Sequence, residues 1–377
     1  MLTKVEIKNI NSIVEATIDF TKCKYQYKDN MVYNNKVVSP VAFYGTNGSG
    51  KSSFLTAISQ LITLLTSEPT QIHPFIPHFR SEKVEEVKEH EGKEQKVNMI
   101  TEETSSIRLF FELNKDLFEY FIETSIQGFI NNEILIKNSE ELFKREKDNY
   151  YYQGKSIEVV SKMFPTLRAL DIDKNDESIH LCYDYLSNIG FIDAAKRQFQ
   201  LKIAQQKSYY DIIVEKSNET KEILSKYKEF PLYDVQSSMN ELGEKQIVAI
   251  INHNSGELVL PWSLVSSGMK NQSMLLSAVL SIPENGVLVV DELDDALHPI
   301  TILDFISAVK EKNIQLIFSS HNTFILQSLR PDQIFFANWE NGFSKYKRLS
   351  EIYPNIREIN NIEKMYLSNL FEEDIKK

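Results

Sequence analysis

Apolar and polar residues alternate in two short runs at the start of the chain. Val5, Ile7 and Ile10 form the first and Val14, Ala16, Ile18 and Phe20 the second, with Asn11 and Ser12 between them. A period of two is that of a half-buried strand, so residues 2 to 20 predict a β-hairpin with a polar turn. The pattern then changes. Val41 to Tyr44 is an unbroken apolar run, and Phe54, Leu55, Ile58, Leu61 and Ile62 recur at helical spacing. These predict a buried strand and then an amphipathic helix that ends near Ser67-Glu68-Pro69, where proline opposes its continuation. From Ser81 to Glu103 Glu and Lys dominate, and a solvated loop or exposed helix is expected because so little apolar surface is there to pack.

Ile107 to Leu113, Phe118 to Ile126 and Asn132 to Ile136 carry strand-like patterns with short polar breaks, as in an antiparallel meander. A helical section is expected from about 175 to 229, without the sustained heptads of a long coiled coil. Ile247 to Ile251 and Leu258 to Leu260 regain apolar character, and Asn271 to Leu280 is helix-like. Gly286 to Val290 and Ile314 to Phe318 are continuous apolar runs, the pattern of strands buried on both faces.

Composition narrows the class. The chain has 377 residues, 42% of them hydrophobic, enough for a substantial core in two or three units. No apolar stretch approaches a membrane span, and the N-terminus lacks the charged-then-apolar layout of a signal peptide. Cys23 and Cys182 form no metal-ligand or disulfide spacing. A cytoplasmic protein with no membrane partner is expected. The net charge of -11 argues against nonspecific nucleic-acid binding by the whole surface, while a local basic groove stays possible.

The chemistry concentrates at two places. Gly45-Thr46-Asn47-Gly48-Ser49-Gly50-Lys51-Ser52 lies between the Val41 to Tyr44 strand and the helix, with Ser53 next. In such a phosphate-binding loop the glycines turn backbone N–H groups toward an anion, Lys51 reaches the β- and γ-phosphates, and the Ser52 hydroxyl joins the Mg²⁺ shell. The loop predicts binding of a nucleoside triphosphate with Mg²⁺. Asp291 and Glu292 end the second buried run. Beside a phosphate loop, Asp291 would hold Mg²⁺ and Glu292 would polarise the attacking water; the plainer alternative is an acidic turn.

Beyond them come Asp294-Asp295-Ala296-Leu297-His298 and the Ile314 to Phe318 strand, closed by Ser319-Ser320-His321-Asn322. The ordered set resembles the ABC class of ATPases, in its soluble branch of SMC and RecF proteins, double-strand-break repair ATPases and the ATPase half of OLD nucleases. The resemblance implies an α/β fold, an ABC-type P-loop core of mixed sheet and helices with an inserted α+β lobe. It makes Asp294 to His298 a D-loop, with Asp295 at the nucleotide, and His321 a switch histidine that contacts the γ-phosphate. Val265-Ser266-Ser267-Gly268-Met269-Lys270 resembles the ABC signature, although Val265, Ser267 and Met269 replace the Leu, Gly and Gln of the usual form. Ser266, Ser267 and Gly268 would then clasp the γ-phosphate held by a second protomer, in a homodimer or higher oligomer that sandwiches ATP.

The matching parts imply core segments at 1–80 and 241–350, an inserted lobe at 81–240 and a tail at 351–377. Lys51 and Ser266 are separated by more than half of the chain, unlike transporter ATPases. Gln315 to Phe318, Arg330 to Phe335 and Ile362 to Leu367 together resemble the ATP-binding proteins found in bacterial anti-phage systems. Too little chain follows His321 for a Toprim nuclease, so the effector, a nuclease or toxin, is expected on a separate polypeptide. A RecF-like DNA-repair ATPase and an ATP-locked assembly scaffold are the alternatives. Gln71 is the candidate for the glutamine that links nucleotide to lobe. Asp171-Ile172-Asp173 is expected to be a solvated turn rather than a metal pair, and Asn252-His253-Asn254 has no companion metal ligands. The Lys- and Tyr-rich stretch from Lys196 to Lys228 is interspersed with acids, which favours a solvated helix face over a nucleic-acid contact.

Overall fold

The computed structural model describes residues 1–370 apart from 24–31, 34–35, 68–74, 77–79, 84–96, 101–103, 159–160, 174–175, 202–207, 227–231, 240–242, 244, 254–255 and 369. The chain opens with β1 (Leu2–Ile10) and β2 (Ile13–Asp19), then β3 (Val41–Tyr44) and α1 (Lys51–Thr66). A meander follows: β4 (Thr104–Leu113), β5 (Asp116–Ser125), β6 (Ile130–Lys137), β7 (Glu140–Glu146), β8 (Asn149–Tyr152) and β9 (Lys155–Ile157). Next come α2 (Thr166–Asp173), α3 (Glu177–Ser187), β10 (Gly190–Asp193), β11 (Gln198–Gln200), α4 (Tyr209–Glu215) and α5 (Ser217–Lys226). The last part holds β12 (Leu232–Met239), β13 (Lys245–His253), β14 (Gly256–Pro261), α6 (Ser267–Ser281), β15 (Val287–Asp291), α7 (Pro299–Glu311), β16 (Gln315–Ser319), β17 (Ile334–Glu340), β18 (Phe343–Arg348) and α8 (Ile362–Leu367).

Among the described residues the larger strands form three sheets. The meander and the N-terminal hairpin make one antiparallel sheet in the order β9-β8-β7-β6-β5-β4-β1-β2. The second runs β11-β10-β15-β16-β3-β17-β18, with β10, β15, β16, β3 and β17 parallel and an antiparallel strand at each edge. The third is β12-β13-β14. Parallel strands need helices on both faces, and the apolar runs alternate between two cores accordingly. Val41 and Phe43 of β3 join Val287, Val289 and Ile317 in a core shared with α1 and the antiparallel sheet. Ala42 and Tyr44 point the other way, with Leu288, Val290 and Phe318, against α6 and α7. Helix α1 is clamped between the sheets, burying Phe54, Leu55, Ala57, Ile58, Leu61, Ile62, Leu64 and Leu65.

Three expectations are corrected. The section from 175 to 229 is not uniformly helical, because Gly190 to Asp193 forms β10 beside β15. Four buried residues are too few to show a period, and Gly190 fits there because a Cβ would stand 2.5 Å from Leu201 and 2.7 Å from Ile282. In the charged segment, Arg80–Lys83 pairs antiparallel with Val97–Ile100 where a loop or helix was expected, while 84–96 lie outside the described residues. Backbone pairing needs no apolar side chain, so composition gave no sign of it. Asp171 and Asp173 end α2 instead of forming a turn, and Asp171 Oδ1 lies 2.8 Å from His180 Nδ1. Sheet pairing also crosses the segment limits expected at residues 80 and 240: β1 pairs with β4, and β10 with β15.

A buried carboxylate ties the meander to the helices. Glu133 on β6 accepts from the Thr166 and Leu167 amides at the N-terminus of α2, at 2.6 and 2.9 Å, and from the Tyr120 hydroxyl at 2.9 Å. Arg145, fully buried on β7, donates to the Lys162 and Phe164 carbonyls just upstream. Burial pushes the Glu133 carboxyl above its usual range, opposed by the two amides and by Arg145. The folded carboxyl therefore keeps its proton to higher pH than the unfolded one, and this group's contribution to stability falls as pH rises between the two values. Glu133→Ala leaves three donors unmatched and is expected to cost about 3 kcal/mol, with Glu133→Gln costing less. Urea unfolding at several pH values checks this: the Gln variant should lose that part of the pH dependence, and an Ala variant as stable as the parent would refute the role.

Candidate active site

The strand, loop and helix order places Gly45 to Gly50 at the C-terminal end of β3. Two glycines are sterically required. Gly45 has φ +151° and a Cβ there would stand 2.3 Å from the Ala337 carbonyl oxygen; Gly50 has φ +101° and its Cβ would fall 1.8 Å from Ser344 Oγ. The Tyr346 hydroxyl donates to the Gly50 carbonyl at 2.6 Å. Lys51, buried at the start of α1, donates from Nζ to the Gly45 and Thr46 carbonyls at 2.9 and 3.1 Å. Burial lowers its pKa, and Asp291, Glu292 and Asp294 work against that shift.

Strands β15 and β16 end beside β3, and their tips supply the acids. The Ser52 hydroxyl donates to Asp291 Oδ1 at 3.0 Å, and the Ser319 hydroxyl donates to the same oxygen at 2.5 Å. Ser319 Oγ also accepts from the Glu292 amide at 2.8 Å, so one serine fixes both acids. Glu292 sits in the left-handed region at φ +52°, which turns its side chain away from the strand. Its pKa is raised by burial, then by Asp291 and Asp193, while His321 lowers it. The Asp294 carboxylate accepts the His321 amide at 3.1 and 3.2 Å.

A cleft of about 370 Å³ lies between these elements, lined by residues of the loop from Asn47 to Ser53, by Glu292 and His321 opposite, and by Ser12. Its donors and acids are segregated. A buried ammonium, hydroxyls and the N-terminus of a long helix suit a polyphosphate, and Asp291 beside Ser52 suits a hard cation. Ser49 Oγ is buried within the loop beside Gly45 with no hydrogen-bond partner, a free hydroxyl in the phosphate loop itself, although Ser49 is not among the residues lining the cleft. The residues present therefore fit a magnesium-bound nucleoside triphosphate.

The remaining candidates cluster elsewhere. Ser266 caps α6, accepting the Met269 amide at 3.3 Å, and both Ser266 and Ser267 are exposed. A Cβ on Gly268 would stand 2.7 Å from the Ala296 carbonyl oxygen, and Asn271 Nδ2 donates to the Asp295 backbone and carboxylate at 3.0 and 3.1 Å. The first turn of α6 is thus locked to the Asp294 to His298 segment. None of Ser266, Ser267, Gly268 and Asp295 lines the cleft. Gln71 lies outside the described residues.

Several residues at the site escaped sequence reasoning. Ser319 sits two positions before His321 and could have been suspected from that spacing alone. Asp193, buried at the tip of β10 in register with Asp291 and paired with Lys196 at 2.7 Å, left no signal, because its strand is too short to recognise. Ser12 was read only as a turn residue, yet its hydroxyl donates to Ser53 Oγ at 2.6 Å.

The arrangement is a mixed α/β core, a mostly parallel sheet between helices, with an inserted α+β lobe. Solved structures similar to this chain include the SMC head domain from Thermotoga maritima, at 16% identity over 92% of this chain and 98% of that one, TM-score 0.46. An SmcHead bound to the C-winged helix domain of ScpA is similar at 13% identity, over 93% and 99%, TM-score 0.49. An Smc head domain with an extended coiled coil bound to the C-terminal domain of ScpA, derived from Pyrococcus furiosus, matches at 13% identity over 99% and 98%, TM-score 0.43. No curated protein matches the chain. Residues 41–327, from the first strand of the parallel core past His321, match one family over most of the chain. The chain accordingly belongs to the AAA ATPase family described as "AAA domain, putative AbiEii toxin, Type IV TA system", whose membership implies nucleotide binding.

Proposed function

We propose that this protein binds ATP with Mg²⁺, hydrolyses it to ADP and phosphate, and closes as a dimer around the nucleotide. The observation that carries the reading is the convergence of Ser52 and Ser319 on Asp291 while Lys51, Glu292 and His321 face one cleft. Gly45, Asn47, Gly48, Ser49, Gly50 and Ser53 would wrap the phosphates, and Lys51 would neutralise their charge. Ser52 and Asp291 would hold Mg²⁺, which supplies further charge neutralisation at the phosphates. Glu292, made more basic by burial and by the neighbouring carboxylates of Asp291, Asp193 and Asp295, would take the proton of the attacking water. His321, held through its backbone by Asp294, would stand at the γ-phosphate.

The exposed Ser266 and Ser267, with Gly268 at a helix N-terminus, suit a phosphate brought by a second copy, and Asp295 is tied to the same helix turn. ATP shared between two such faces would drive closure, and hydrolysis would release it. The family description joins the AAA domain to toxin–antitoxin systems. That supports a role as sensor and regulator of a separately encoded effector, a nuclease or toxin, in anti-phage defence. Among the described residues no helix is long and apolar enough to cross a membrane.

Glu292→Gln is expected to keep ATP affinity, abolish turnover and accumulate an ATP-bound dimer on a sizing column. A variant that hydrolyses ATP at the parental rate would sink the assignment. Ser319→Ala removes the hydroxyl that fixes both acids. A charged hydrogen bond of this kind is worth about 1.5–3 kcal/mol, so kcat should fall roughly ten- to hundredfold with ATP affinity little changed. Steady-state kinetics beside equilibrium binding separates the two effects, and an unchanged kcat would remove Ser319 from the mechanism.

A further inference from the structure

The chain has two tryptophans, and their surroundings differ. Trp262 packs against Tyr209 and Tyr210. Trp339, near the end of the β17 and β18 hairpin, is 49% exposed. The register fixes which way it faces. Phe335, Ala337 and Trp339 alternate onto the α1 side of the parallel sheet, where Phe335 stacks on Phe43 and Phe43 on Phe54 of α1. Across the hairpin, Ala337 pairs with Tyr346 and Trp339 with Ser344.

Each of these partners touches the phosphate loop. Tyr346 donates to the Gly50 carbonyl, and Ser344 Oγ occupies the space a Cβ on Gly50 would need. Ser344 Oγ is 2.6 Å from Ser12 Oγ, and the Ser344 amide donates to the Ser12 carbonyl at 2.8 Å. That amide points away from β17, so Trp339 and Ser344 form a non-hydrogen-bonded pair, the closer of the two cross-strand spacings. An exposed indole therefore stands one residue pair from the rim of the cleft.

The cleft has two distinguishable ends. Ser52 is bonded to Asp291, at the end that holds Glu292 and His321. Ser53, the next residue on α1, is bonded to Ser12, which places the hydroxyl cluster of Ser12, Ser53 and Ser344 at the other end. A polyphosphate whose terminal group lies by Glu292 must send its nucleoside toward Ser12 and Trp339. We propose that Trp339 is the stacking platform for the purine base of the bound nucleotide. This rests on the nucleotide reading above and adds to it a base subsite. Every base has a π-face, so an indole gives affinity without demanding one hydrogen-bond pattern, and truncating such a platform weakens binding about tenfold.

The test uses Trp262→Phe protein, in which Trp339 is the sole indole, titrated with ATP, ADP and inorganic tripolyphosphate in the presence of Mg²⁺. ATP and ADP should quench the Trp339 emission, while tripolyphosphate should bind by calorimetry without quenching. In the otherwise native chain, Trp339→Ala should weaken ATP and ADP binding about tenfold, leave tripolyphosphate affinity unchanged, and be largely rescued by Trp339→Phe. ATP that binds without quenching, or binds equally to Trp339→Ala, overturns the base subsite and leaves the phosphate site standing. Loss of tripolyphosphate affinity in Trp339→Ala overturns it as well, because the residue would then support the loop and not the base. Wild-type protein that binds neither ATP nor tripolyphosphate overturns the nucleotide reading itself.

Discussion

Burial of the parallel strands on both faces is the constraint from which the site follows. Strands β3, β15 and β16 are buried along their whole length, so their side chains are committed to two cores and carry no chemistry until the strands end. Where they end, side by side, the polypeptide must turn and polar groups can appear. Residues 44, 291 and 319 are remote in sequence, and parallel pairing puts the segments that follow them around one cleft. The loop, the two acids and His321 meet there because the strands are adjacent, which is the general tendency of open α/β sheets to bind ligands beyond the carboxyl ends of their strands.

The site sits at this boundary at an electrostatic cost that its neighbours offset. Asp291 is 4% exposed, and an isolated carboxylate at that depth would be strongly unfavourable. Two hydroxyls on one of its oxygens, and Lys51 close enough to be shifted by it, satisfy the charge. Lys51 is likewise desolvated and uses the Gly45 and Thr46 carbonyls. Glu292 lies closer to solvent and is left raised, with no hydroxyl aimed at its carboxylate. Two adjacent acids thus differ in character because the Ser319 and Ser52 hydroxyls donate to the carboxylate of the first alone, while Ser319 holds the second only through the Glu292 backbone amide.

Legibility in the sequence followed the length and periodicity of each element. The N-terminal hairpin, the buried runs at Val41, Val287 and Ile314, α1 and the first three of the meander's six strands declared themselves, since each spans enough residues to show a period or an unbroken apolar run; the shorter, more polar strands from Glu140 to Ile157 did not. The phosphate loop was readable because its glycines answer a local requirement, visible here in the contacts a Cβ would make at Gly45 and Gly50. Strand β10 was not readable. Gly190-Phe191-Ile192-Asp193 is a strand because β15 and β11 flank it, and with it went Asp193 and Lys196. The hydroxyl cluster of Ser12, Ser53 and Ser344 was equally hidden, because it joins three segments whose proximity is a property of the fold alone.

Helix α1 links the cleft to the lobe. Its first residue is Lys51, and its far end is gripped by the lobe's helices, where Arg168 of α2 donates to the Ser67 carbonyl and Tyr183 of α3 to the Leu65 carbonyl. Helix α2 is in turn held at its N-terminus by Glu133 of the meander. Along its length α1 is packed against both sheets, so it cannot slide past one without disturbing close-packed contacts with it. The N-terminal hairpin adds a second tie: β1 pairs with β4 of the meander, and its turn holds Ser53 and Ser344 through Ser12. Cleft and lobe are therefore joined by one buried rod and one hydrogen-bonded hairpin. The lobe therefore cannot move independently of the phosphate loop without breaking packing along α1 or the backbone pairing of β1 with β4.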